Sequence, residues 1–467
     1  MRVVPCLCVL AAGLLLLSGC GGSCDSCGGH SVGVNMSGLV GSRLALSNNG
    51  VTVSVDPGTN GPVPALFKGL AQGTAYNISV AVQPTTPAQT CVVANGTGTM
   101  GAVDVTDVSV TCTTTPARFL VAQGSFTTAN PPCMTISAVD NTSGALSAPI
   151  APPFCGPNGG LGLGSPFGPF GVAPLGKFLY ISTIGGGLSE RLYTVAIDPT
   201  TGAWSLEQTL DCAYCGYVAV DPSGQFLVMP NGFRGVGYGD LSTFKIDPSS
   251  GLLTASGYRV HFDNEPWNVS VDPLGKFVYV TYGNFNESVS VQALTLDPKT
   301  GALAQSAAAA SVQDAFVLLP HPWGKFLYAV NRSNSIAIFK VDRTSGALTP
   351  ITGSPVTAVT DSTTATLTAA VFHPNGKYLY VANDDSSGIY AFAVDPASGA
   401  LTAINGSPFP TGHSPQSVAI EPAGKFLYVS NDTGTSVYEI DSANGALTPA
   451  AGSPFAVAFG GIIRFIN

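Results

Sequence analysis

The stretch Phe372-His373-Pro374-Asn375-Gly376-Lys377-Tyr378-Leu379-Tyr380-Val381-Ala382-Asn383-Asp384 contains the pattern that decides the fold. In it, a Pro-x-Gly-Lys turn is followed at once by an aromatic-rich apolar run. The same turn recurs at residues 174–177, 273–276, 322–325 and 422–425, and an altered copy occupies residues 222–225. A motif that returns in this way along the chain indicates a repeat architecture.

A second repeated motif is an Asp at the end of an apolar run, followed by a polar turn and a Gly. Its glycines are Gly144, Gly202, Gly251, Gly301, Gly346, Gly399 and Gly445. Seven such turns, spaced by about 50 residues, indicate a propeller or a solenoid. Each repeat has room for four short strands, the number in a propeller blade. A six-bladed ring with an unrelated lead-in is the alternative, and the seven Gly turns argue against it.

The two ends of the repeat region complement each other. The first repeat starts at Arg118, and its opening residues match the second strand of a blade rather than the first. Residues 461–466 remain after the last repeat and resemble an inner first strand. Pairing the two would close the ring and remove both exposed sheet edges. The sequence therefore predicts an all-β protein: a seven-bladed β-propeller at residues 115–467, with the C-terminal strand closing blade one. Period-two apolar spacing predicts a small β-sandwich before it, at residues 32–114.

The quoted stretch resembles the lactonase-type propeller family, which includes 6-phosphogluconolactonase and carboxymuconate cycloisomerase relatives and overlaps the YVTN-repeat proteins. The resemblance covers about residues 117–467, and its motifs specify blades rather than an activity. Members of the family tend to open an inner strand with Pro-Arg-His and to end the next strand with Asn-Glu. Here the matching stretches read Pro266-Trp267-Asn268 and Asn383-Asp384, so the acid/base and anion-binding residues that the resemblance implies are missing at those positions.

The N-terminus has the features of a bacterial lipoprotein signal. Arg2 precedes an apolar run of signal-peptide length, and Leu17-Ser18-Gly19-Cys20 resembles a lipobox. We expect residues 1–19 to be removed, Cys20 to be lipidated and residues 20–31 to act as a flexible tether. The resemblance to lipoproteins implies inner-membrane retention when an Asp follows the cysteine, so Gly21 at that position favours the outer membrane. The expected location is therefore the cell envelope, with a membrane as partner through the anchor; an ordinary secretory signal is the alternative.

Export favours disulfide bonds among the remaining cysteines. The simplest local pairing joins Cys91 to Cys112, Cys133 to Cys155, Cys212 to Cys215 and Cys24 to Cys27, although the sequence alone does not fix connectivity. The two Cys-x-x-Cys pairs could instead serve zinc or redox chemistry. No histidine lies close to either pair in sequence, and neither has a thioredoxin-like context. We therefore expect no metal.

Composition and motif content exclude several classes of function. The net charge is −9 without a Lys/Arg cluster, so nothing would neutralise a nucleic acid. There is no G-x-S-x-G elbow, H-E-x-x-H motif, Walker loop or EF-hand loop. A quinone-cofactor or metal enzyme would need a cluster of ligands that the sequence does not contain, so no cofactor is predicted.

Candidate functional residues fall in the irregular loops, which a meander places on one face around the channel mouth. His, Arg and carboxylate groups converging there could polarise a lactone carbonyl and activate water. We predict Arg234, His261 and Glu265 as the catalytic set. The predicted ligand-binding residues are Arg191, Tyr238, Trp267, Glu287, Arg332, Asp384 and His413. Solvated loop residues with no such role are the alternative.

Two functions from different classes remain open. The leading interpretation is a lipid-anchored binding or scaffold module of the cell envelope, whose irregular face takes a small-molecule, glycan or protein ligand. The alternative is a lactonase-like hydrolase that opens a sugar or aliphatic lactone at the channel mouth. Convergence of the catalytic set in the channel would favour the enzyme.

Overall fold

Short antiparallel strands make up the regular structure of the protein in the computed structural model. The structure describes residues 29–123, 133–155, 170–172, 176–182, 191–212, 215–231, 238–283, 288–313, 315–332, 334–359, 365–385, 387–457 and 461–466. Within these ranges the chain forms no helix, and so none that is long and apolar enough to span a membrane.

The N-terminal domain consists of two four-stranded sheets packed face to face, as predicted. Its strands are β1 (His30–Ser37), β2 (Ala45–Asn48), β3 (Val51–Ser54), β4 (Gly61–Leu70), β5 (Ala75–Val82), β6 (Gln89–Ala94), β7 (Thr97–Thr99) and β8 (Val105–Thr114). The sheets have the strand orders β4-β1-β8-β6 and β3-β2-β5-β7. Alternate residues of these strands, such as Val32 and Val34, are buried between the sheets and form one core.

Seven further sheets follow, and in blades 2 to 7 the four main strands are in simple meander order. Blade 1 contains β9 (Phe119–Gln123), β10 (Met134–Val139) and β11 (Leu146–Pro149). Blade 2 contains β12 (Phe170–Val172), β13 (Phe178–Ser182), β14 (Arg191–Ile197) and β15 (Trp204–Asp211). Blade 3 contains β16 (Ala219–Val220), β17 (Phe226–Asn231), β18 (Gly239–Ile246) and β19 (Leu253–Phe262).

Blades 4 to 6 each carry a short extra strand that pairs with the third strand of the blade. Blade 4 contains β20 (Pro266–Val271), β21 (Phe277–Tyr282), β22 (Ser288–Leu296), β23 (Leu303–Gln305) and β24 (Ala310–Gln313), and blade 5 contains β25 (Ala315–Pro320), β26 (Phe326–Asn331), β27 (Ser335–Val341), β28 (Leu348–Pro350) and β29 (Val356–Thr357). Blade 6 contains β30 (Leu367–Phe372), β31 (Tyr378–Asn383), β32 (Gly388–Val394), β33 (Leu401–Ala403) and β34 (Phe409–Pro410). Blade 7 contains β35 (Ser417–Ile420), β36 (Phe426–Asn431), β37 (Gly434–Ile440) and β38 (Leu447–Pro449).

The last strand, β39 (Ile463–Ile466), completes blade 1. It pairs antiparallel with β9, with Ile463 opposite Ala122 and Ile466 opposite Phe119. The Arg118 N–H donates to the Ile466 carbonyl at 2.8 Å, which extends the pairing beyond the strand. The predicted closure of a seven-bladed ring by the C-terminal strand is thus confirmed.

The seven Asp-to-Gly turns join the third and fourth strands of the blades. In each, the Gly N–H donates to the Asp carbonyl four residues earlier at 2.7–2.9 Å, and the Gly φ lies between 70° and 77°. Only glycine adopts this left-handed conformation at little cost. The Asp carboxylate accepts bonds from the turn: the Ser249 hydroxyl and nearby backbone N–H groups hold the pKa of Asp247 well below its usual range.

These turns also connect neighbouring blades. A Cβ added to Gly399 would lie 2.7 Å from the ring of Phe326 in the preceding blade. A tyrosine of the preceding blade donates its hydroxyl to the turn carbonyl in the pairs Tyr180–Gly251, Tyr328–Gly399, Tyr380–Gly445 and Tyr428–Gly144, at 2.6–2.9 Å. The last pair joins blade 7 to blade 1 and repeats at the closing seam the contact made elsewhere in the ring.

A second set of inter-blade contacts starts at the turn between the first and second strands. His321 is fully buried there, with its Nε2 2.8 Å from the Gly376 carbonyl of the next blade, and its Nδ1 accepts the Trp323 N–H at 3.2 Å. His373 makes the same contact with Gly424 at 2.8 Å. Burial lowers the pKa of His321 to about 4. These two histidines therefore join blades on the face of regular turns.

The N-terminal domain contacts that same regular face. The Ser42 hydroxyl donates to the Pro273 carbonyl at 2.7 Å, and a Cβ on Gly58 would lie 2.9 Å from the indole nitrogen of Trp323. Pro273 and Trp323 belong to the regular turns of blades 4 and 5. The irregular face, where the candidate residues were predicted, is the opposite face of the propeller.

Three of the predicted disulfides are confirmed: Cys91–Cys112, Cys133–Cys155 and Cys212–Cys215. The first links neighbouring strands in the N-terminal domain, where the two cysteines lie directly opposite each other. Cys20, Cys24 and Cys27 lie outside the described residues.

Candidate functional site

The inner strands of the blades line a central channel. Equivalent positions of the seven blades can be compared through the strand pairing. In each blade, one residue of the inner strand pairs with the third residue of the second strand, and these seven inner-strand residues lie at the same level of the channel. These seven residues are Gly171, Ala219, Ser270, Leu319, Val371, Ala419 and Arg464. Six of them are small or apolar, and the seventh is an arginine. The closing strand therefore places a positive charge at a level where the other blades place none.

A cavity of about 260 Å³ occupies the channel around this level. Its lining residues are Tyr217, Val218, Asn268, Val269, Ser270, Phe316, Val317, Leu318, Leu319, Thr368, Ala369, Ala370, Gln416, Ser417, Val418, Ile462 and Arg464. Arg464 is the one charged side chain among these described lining residues. We call this cavity the lumen site.

Arg464 is held in place by the strand that carries it. Its Nη1 donates to the Ile463 carbonyl at 2.8 Å. The side chain lies inside the channel and is exposed to the solvent of the lumen. Desolvation lowers the pKa of Arg464, and the nearby Tyr217 opposes that shift. Because a guanidinium titrates far above neutral pH, Arg464 remains a cation in the lumen.

Several polar groups of the lumen site are occupied within the protein. The Asn268 amide donates to the Phe316 carbonyl and the Thr368 hydroxyl to the Pro415 carbonyl, both at 2.6 Å. The Gln416 Oε1 is buried and has no hydrogen-bond partner among the described residues. The lumen site therefore combines a guanidinium and an amide with a lining that exposes polar and apolar surface in similar amounts.

His261 of the predicted catalytic set lies away from the lumen site. His261 lies on β19, the outermost strand of blade 3, where its Nδ1 is 2.9 Å from the Asp240 carboxylate and its Nε2 is 3.8 Å from that of Asp263. Glu265 immediately precedes β20, the innermost strand of blade 4. Adjacent strands are about 4.8 Å apart, so an outermost strand lies about 14 Å from the inner strand of its blade. Arg234 lies outside the described residues.

Among the predicted ligand-binding residues that the structure describes, Arg332 contacts a residue that lines the lumen site. Its guanidinium carbon is 4.1 Å from the ring centroid of Phe316, which lines the lumen. Asp384 lies close to the start of an inner strand, because its N–H donates to the Thr366 carbonyl at 3.0 Å. Both residues are therefore on the irregular face, close to the channel.

The other predicted ligand-binding residues lie elsewhere. Arg191 pairs with Asp211 at 2.9 Å on the outer strands of blade 2, and His413 lies 3.5 Å from Asp432. The exposed Tyr238 ring lies 6.0 Å from that of His261 at the outer part of blade 3. Glu287 lies outside the described residues.

Trp267 requires a correction. Its side chain is 2% exposed and belongs to the core between blades 4 and 5, rather than to the ligand-binding face. The large indole fills the space between two sheets, which is why an aromatic residue occurs at the start of this inner strand.

Arg464 was missed in the sequence analysis, although a signal for it exists. The strand was recognised as an inner strand and as the closing element, yet its single charged residue was not taken as a channel residue. An arginine within an otherwise apolar inner strand marks a lumen position.

The described residues contain no cluster of three or more His, Cys, Asp or Glu side chains that could hold a metal ion. The site that does emerge is a pocket with one arginine in the channel of a seven-bladed propeller, so the protein is a β-propeller with a central cavity. The family profile "Lactonase, 7-bladed beta-propeller" matches residues 188–320 and 321–463, more than half of the chain. The chain therefore belongs to the lactonase family of seven-bladed β-propellers.

Individual relatives agree with this family assignment. A curated Arthroderma benhamiae protein named "Probable 6-phosphogluconolactonase" is 25% identical over 197 residues, which are 39% of this chain and 47% of that protein. The chain thus aligns with about half the length of this curated relative.

Two solved structures share the fold. A candidate 6-phosphogluconolactonase from Bacteroides fragilis has a TM-score of 0.61 at 21% identity and covers 75% of this chain and 98% of its own. The periplasmic gluconolactonase of Pseudomonas aeruginosa has a TM-score of 0.60 at 19% identity and covers 76% of this chain and 99% of its own. At these identities the likeness establishes the fold alone.

Proposed function

We propose that this protein hydrolyses a lactone in the lumen site. The observation that carries the proposal is Arg464, the one charged side chain among the described residues that line the channel cavity of a lactonase-family propeller. A guanidinium held beside the reacting group stabilises negative charge that develops on an oxygen without the reorganisation that solvent would need. Lactone hydrolysis develops such a charge on the carbonyl oxygen.

The reaction needs no cofactor. The oxygen of a water molecule bonds to the carbonyl carbon, and the resulting oxyanion is stabilised by the Arg464 guanidinium. The bond between that carbon and the ring oxygen then breaks, and the ring oxygen takes up one proton from the water. The product is a hydroxy acid, which ionises at neutral pH and releases the second proton to solvent.

The names of the relatives support a lactone as the substrate, because they describe a 6-phosphogluconolactonase and a gluconolactonase. They favour the hydrolase hypothesis over the binding or scaffold module, which was the leading interpretation of the sequence. A ligand-binding module without catalysis remains the second candidate, and the same experiment separates the two.

We also propose that the enzyme acts in the cell envelope, anchored through a lipidated Cys20 and following removal of residues 1–19. The contacts of the N-terminal domain with the regular face support this arrangement, because the irregular face is then directed away from the anchored domain. Replacing Cys20 with Ser should move the protein from the membrane fraction to the soluble envelope fraction. Membrane retention of the Cys20→Ser protein would rule out the lipid anchor.

The activity can be tested by following acid release from a panel of sugar and aliphatic lactones with the full-length protein in detergent. We expect Arg464→Gln to lower kcat by about 100-fold or more, as loss of an oxyanion-stabilising group does, and to change KM less. Arg464→Lys should retain part of the rate because the charge remains.

Arg118→Gln is the matched control. Its backbone belongs to the same closing seam, but its side chain is directed to the Pro199 carbonyl, outside the lumen. We expect this variant to keep the wild-type rate. An unchanged kcat in Arg464→Gln would refute the role of the guanidinium, and no turnover of any lactone by the wild-type protein would favour the binding module.

A further inference from the structure

A second cavity lies between the outer parts of blades 2 and 3 and shares no lining residue with the lumen site. It has a volume of about 400 Å³, and its lining includes Asp211 at the end of β15 and Tyr258 and Arg259 on β19. Both strands are the outermost strands of their blades, so the cavity lies at the rim of the propeller. We call it the rim groove.

The strand pairing of blade 3 continues the rim groove toward the irregular face. Ser242, which lines the groove, pairs with Arg259, and Asp240 pairs with His261. Residues two apart on a strand share one face of a sheet, so Asp240 and His261 continue the wall that Arg259 begins. The ring of Tyr238 lies on the same side, 6.0 Å from that of His261.

Two exposed aromatic rings flank the rim groove. Tyr238 is 59% exposed and Tyr258 is 42% exposed, and no other aromatic side chain of the described residues is exposed to this extent. Tyr238 lies beside His261, three residues from Tyr258 on the same strand, so the two tyrosines are about 10 Å apart along the groove. Exposed rings that occur together at one groove indicate a surface that contacts a ligand.

The charged side chains of the rim groove are already paired with one another. On the blade 2 side, Arg191 lies 2.9 Å from Asp211. On the blade 3 side, the Asp240 carboxylate lies 3.8 Å from Arg259 and 2.9 Å from His261. Because each guanidinium faces a carboxylate, a strongly charged ligand would have to compete with these ion pairs. A neutral ligand with many hydroxyl groups can instead donate to the carboxylates and accept from the guanidinium groups.

We propose that the rim groove binds a neutral oligosaccharide. The rings of Tyr238 and Tyr258 contact the C–H groups of two sugar units, and the polar side chains between them bind the hydroxyl groups. The distance between the rings requires a chain of several sugar units rather than a single one. The rim groove is separate from the lumen site, so this inference does not depend on the proposed hydrolysis. It gives a shared role to Arg191, Tyr238 and His261, which the sequence analysis predicted as functional residues.

The test is calorimetric titration of the full-length protein, in a detergent without sugar head groups, with neutral oligosaccharides. The probes are hexasaccharides of glucose, galactose, mannose and N-acetylglucosamine, each beside its monosaccharide. We expect at least one hexasaccharide to bind at least about tenfold more tightly than its monosaccharide, because only the longer chain reaches both rings. No binding of any hexasaccharide, or equal affinities for hexasaccharide and monosaccharide, would overturn the proposal.

Variants of the two tyrosines locate the sugar in the rim groove. Tyr238→Ala and Tyr258→Ala should each weaken binding of that hexasaccharide by about threefold to tenfold, whereas Tyr258→Phe keeps the ring and should bind within about twofold of wild type. The matched control is Leu252→Ala, because Leu252 is a 38% exposed residue of the same blade that lies at the Asp turn on the regular face. Wild-type affinity in both alanine variants would place the sugar elsewhere and overturn the assignment.

An acidic oligosaccharide tests the charge argument. A hexasaccharide of galacturonic acid should bind less tightly than the best neutral hexasaccharide, because its carboxylates meet those of Asp211 and Asp240. Tighter binding of the acidic chain, weakened by added salt, would contradict a neutral ligand. Sugar affinity can be measured whether or not the protein hydrolyses lactones, so either proposal can fail without the other.

Discussion

Mild acidification should weaken the propeller through its two buried turn histidines. His321 is surrounded by the rings of Trp323, Phe326 and Phe372, with centroids 5.1–6.1 Å from its own, and its pKa is lowered from 6.5 to about 4 by burial. Its Nδ1 accepts the Trp323 N–H, so a proton on Nδ1 would remove this bond. The neutral imidazole is therefore the form that the folded protein requires.

The size of the effect follows from the pKa difference. Between pH 6.5 and pH 4 the unfolded chain binds a proton at His321 that the folded protein excludes, so stability falls as pH falls through this range. With a pKa of about 4 in the folded protein and 6.5 in the unfolded chain, the free energy of unfolding falls by about 2 kcal/mol between pH 7 and pH 5. The total loss approaches about 3 kcal/mol at lower pH. Burial also lowers the pKa of His373, which adds a loss of the same sign.

Other titrating groups contribute at a different pH. The turn carboxylates, such as those of Asp247 and Asp342, have lowered pKa values because they accept hydrogen bonds, so their contribution to stability is lost only as pH falls below about 4. The loss between pH 7 and pH 5 is therefore assigned to the histidines.

The assay is urea-induced unfolding at a series of pH values with the disulfides intact, followed by tryptophan fluorescence, to which Trp323 contributes beside His321. The wild-type protein should lose at least about 2 kcal/mol between pH 7 and pH 5, whereas His321→Asn with His373→Asn should lose much less, whatever its stability at pH 7. Direct titration of the His321 ring by NMR gives the same answer if the double variant does not fold. Equal losses in wild-type and variant proteins, or a His321 pKa near 6.5 in the folded protein, would refute this reasoning.

Three further predictions concern the ring and the site. Tyr428→Phe removes the hydroxyl that joins blade 7 to blade 1 and leaves a buried carbonyl unpaired, so the free energy of unfolding should fall by about 1–2 kcal/mol in urea titrations; an unchanged value would mean that water replaces the hydroxyl. Gly399→Ala should lower the free energy of unfolding more than Gly353→Ala does. Both glycines have positive φ, but only the Cβ added at Gly399 meets a ring, that of Phe326 at 2.7 Å. We expect a loss of about 2 kcal/mol or more for Gly399→Ala against about 1 kcal/mol for Gly353→Ala, and equal losses would refute the packing argument. His261→Ala should keep lactone hydrolysis within about threefold of wild type, because this side chain lies about three strand spacings from the inner strands; loss of turnover would place the reaction at the outer part of blade 3.

Most of the fold was predictable because its determinants are local and repeated. A left-handed Gly at the end of each Asp turn is a requirement of a short segment, and its seven copies predict seven blades. The Pro-x-Gly-Lys turn, with five copies and one altered copy, marks the second strand in most of them. The closing strand was predictable for the same reason, since the two ends of the repeat region each lacked what the other supplied.

The site was less predictable, because it depends on distances across the ring. His261 and Glu265 are close in sequence, yet one ends an outermost strand and the other precedes an innermost strand. Sequence position distinguishes loop from strand but does not show how far a loop residue lies from the channel axis. Trp267 illustrates the same difficulty, because its place at the end of an irregular loop suggested a ligand contact, whereas the packing of two blades buries it.

The position of the guanidinium on the final strand has a consequence for synthesis and quality control. A chain that stops only a few residues early lacks both the seam that holds the ring together and the charge on which the proposed chemistry depends. During synthesis, the site cannot exist until the last residues have been added. Activity would then report a complete chain, and prematurely terminated molecules would be inert toward substrate as well as open to proteolysis.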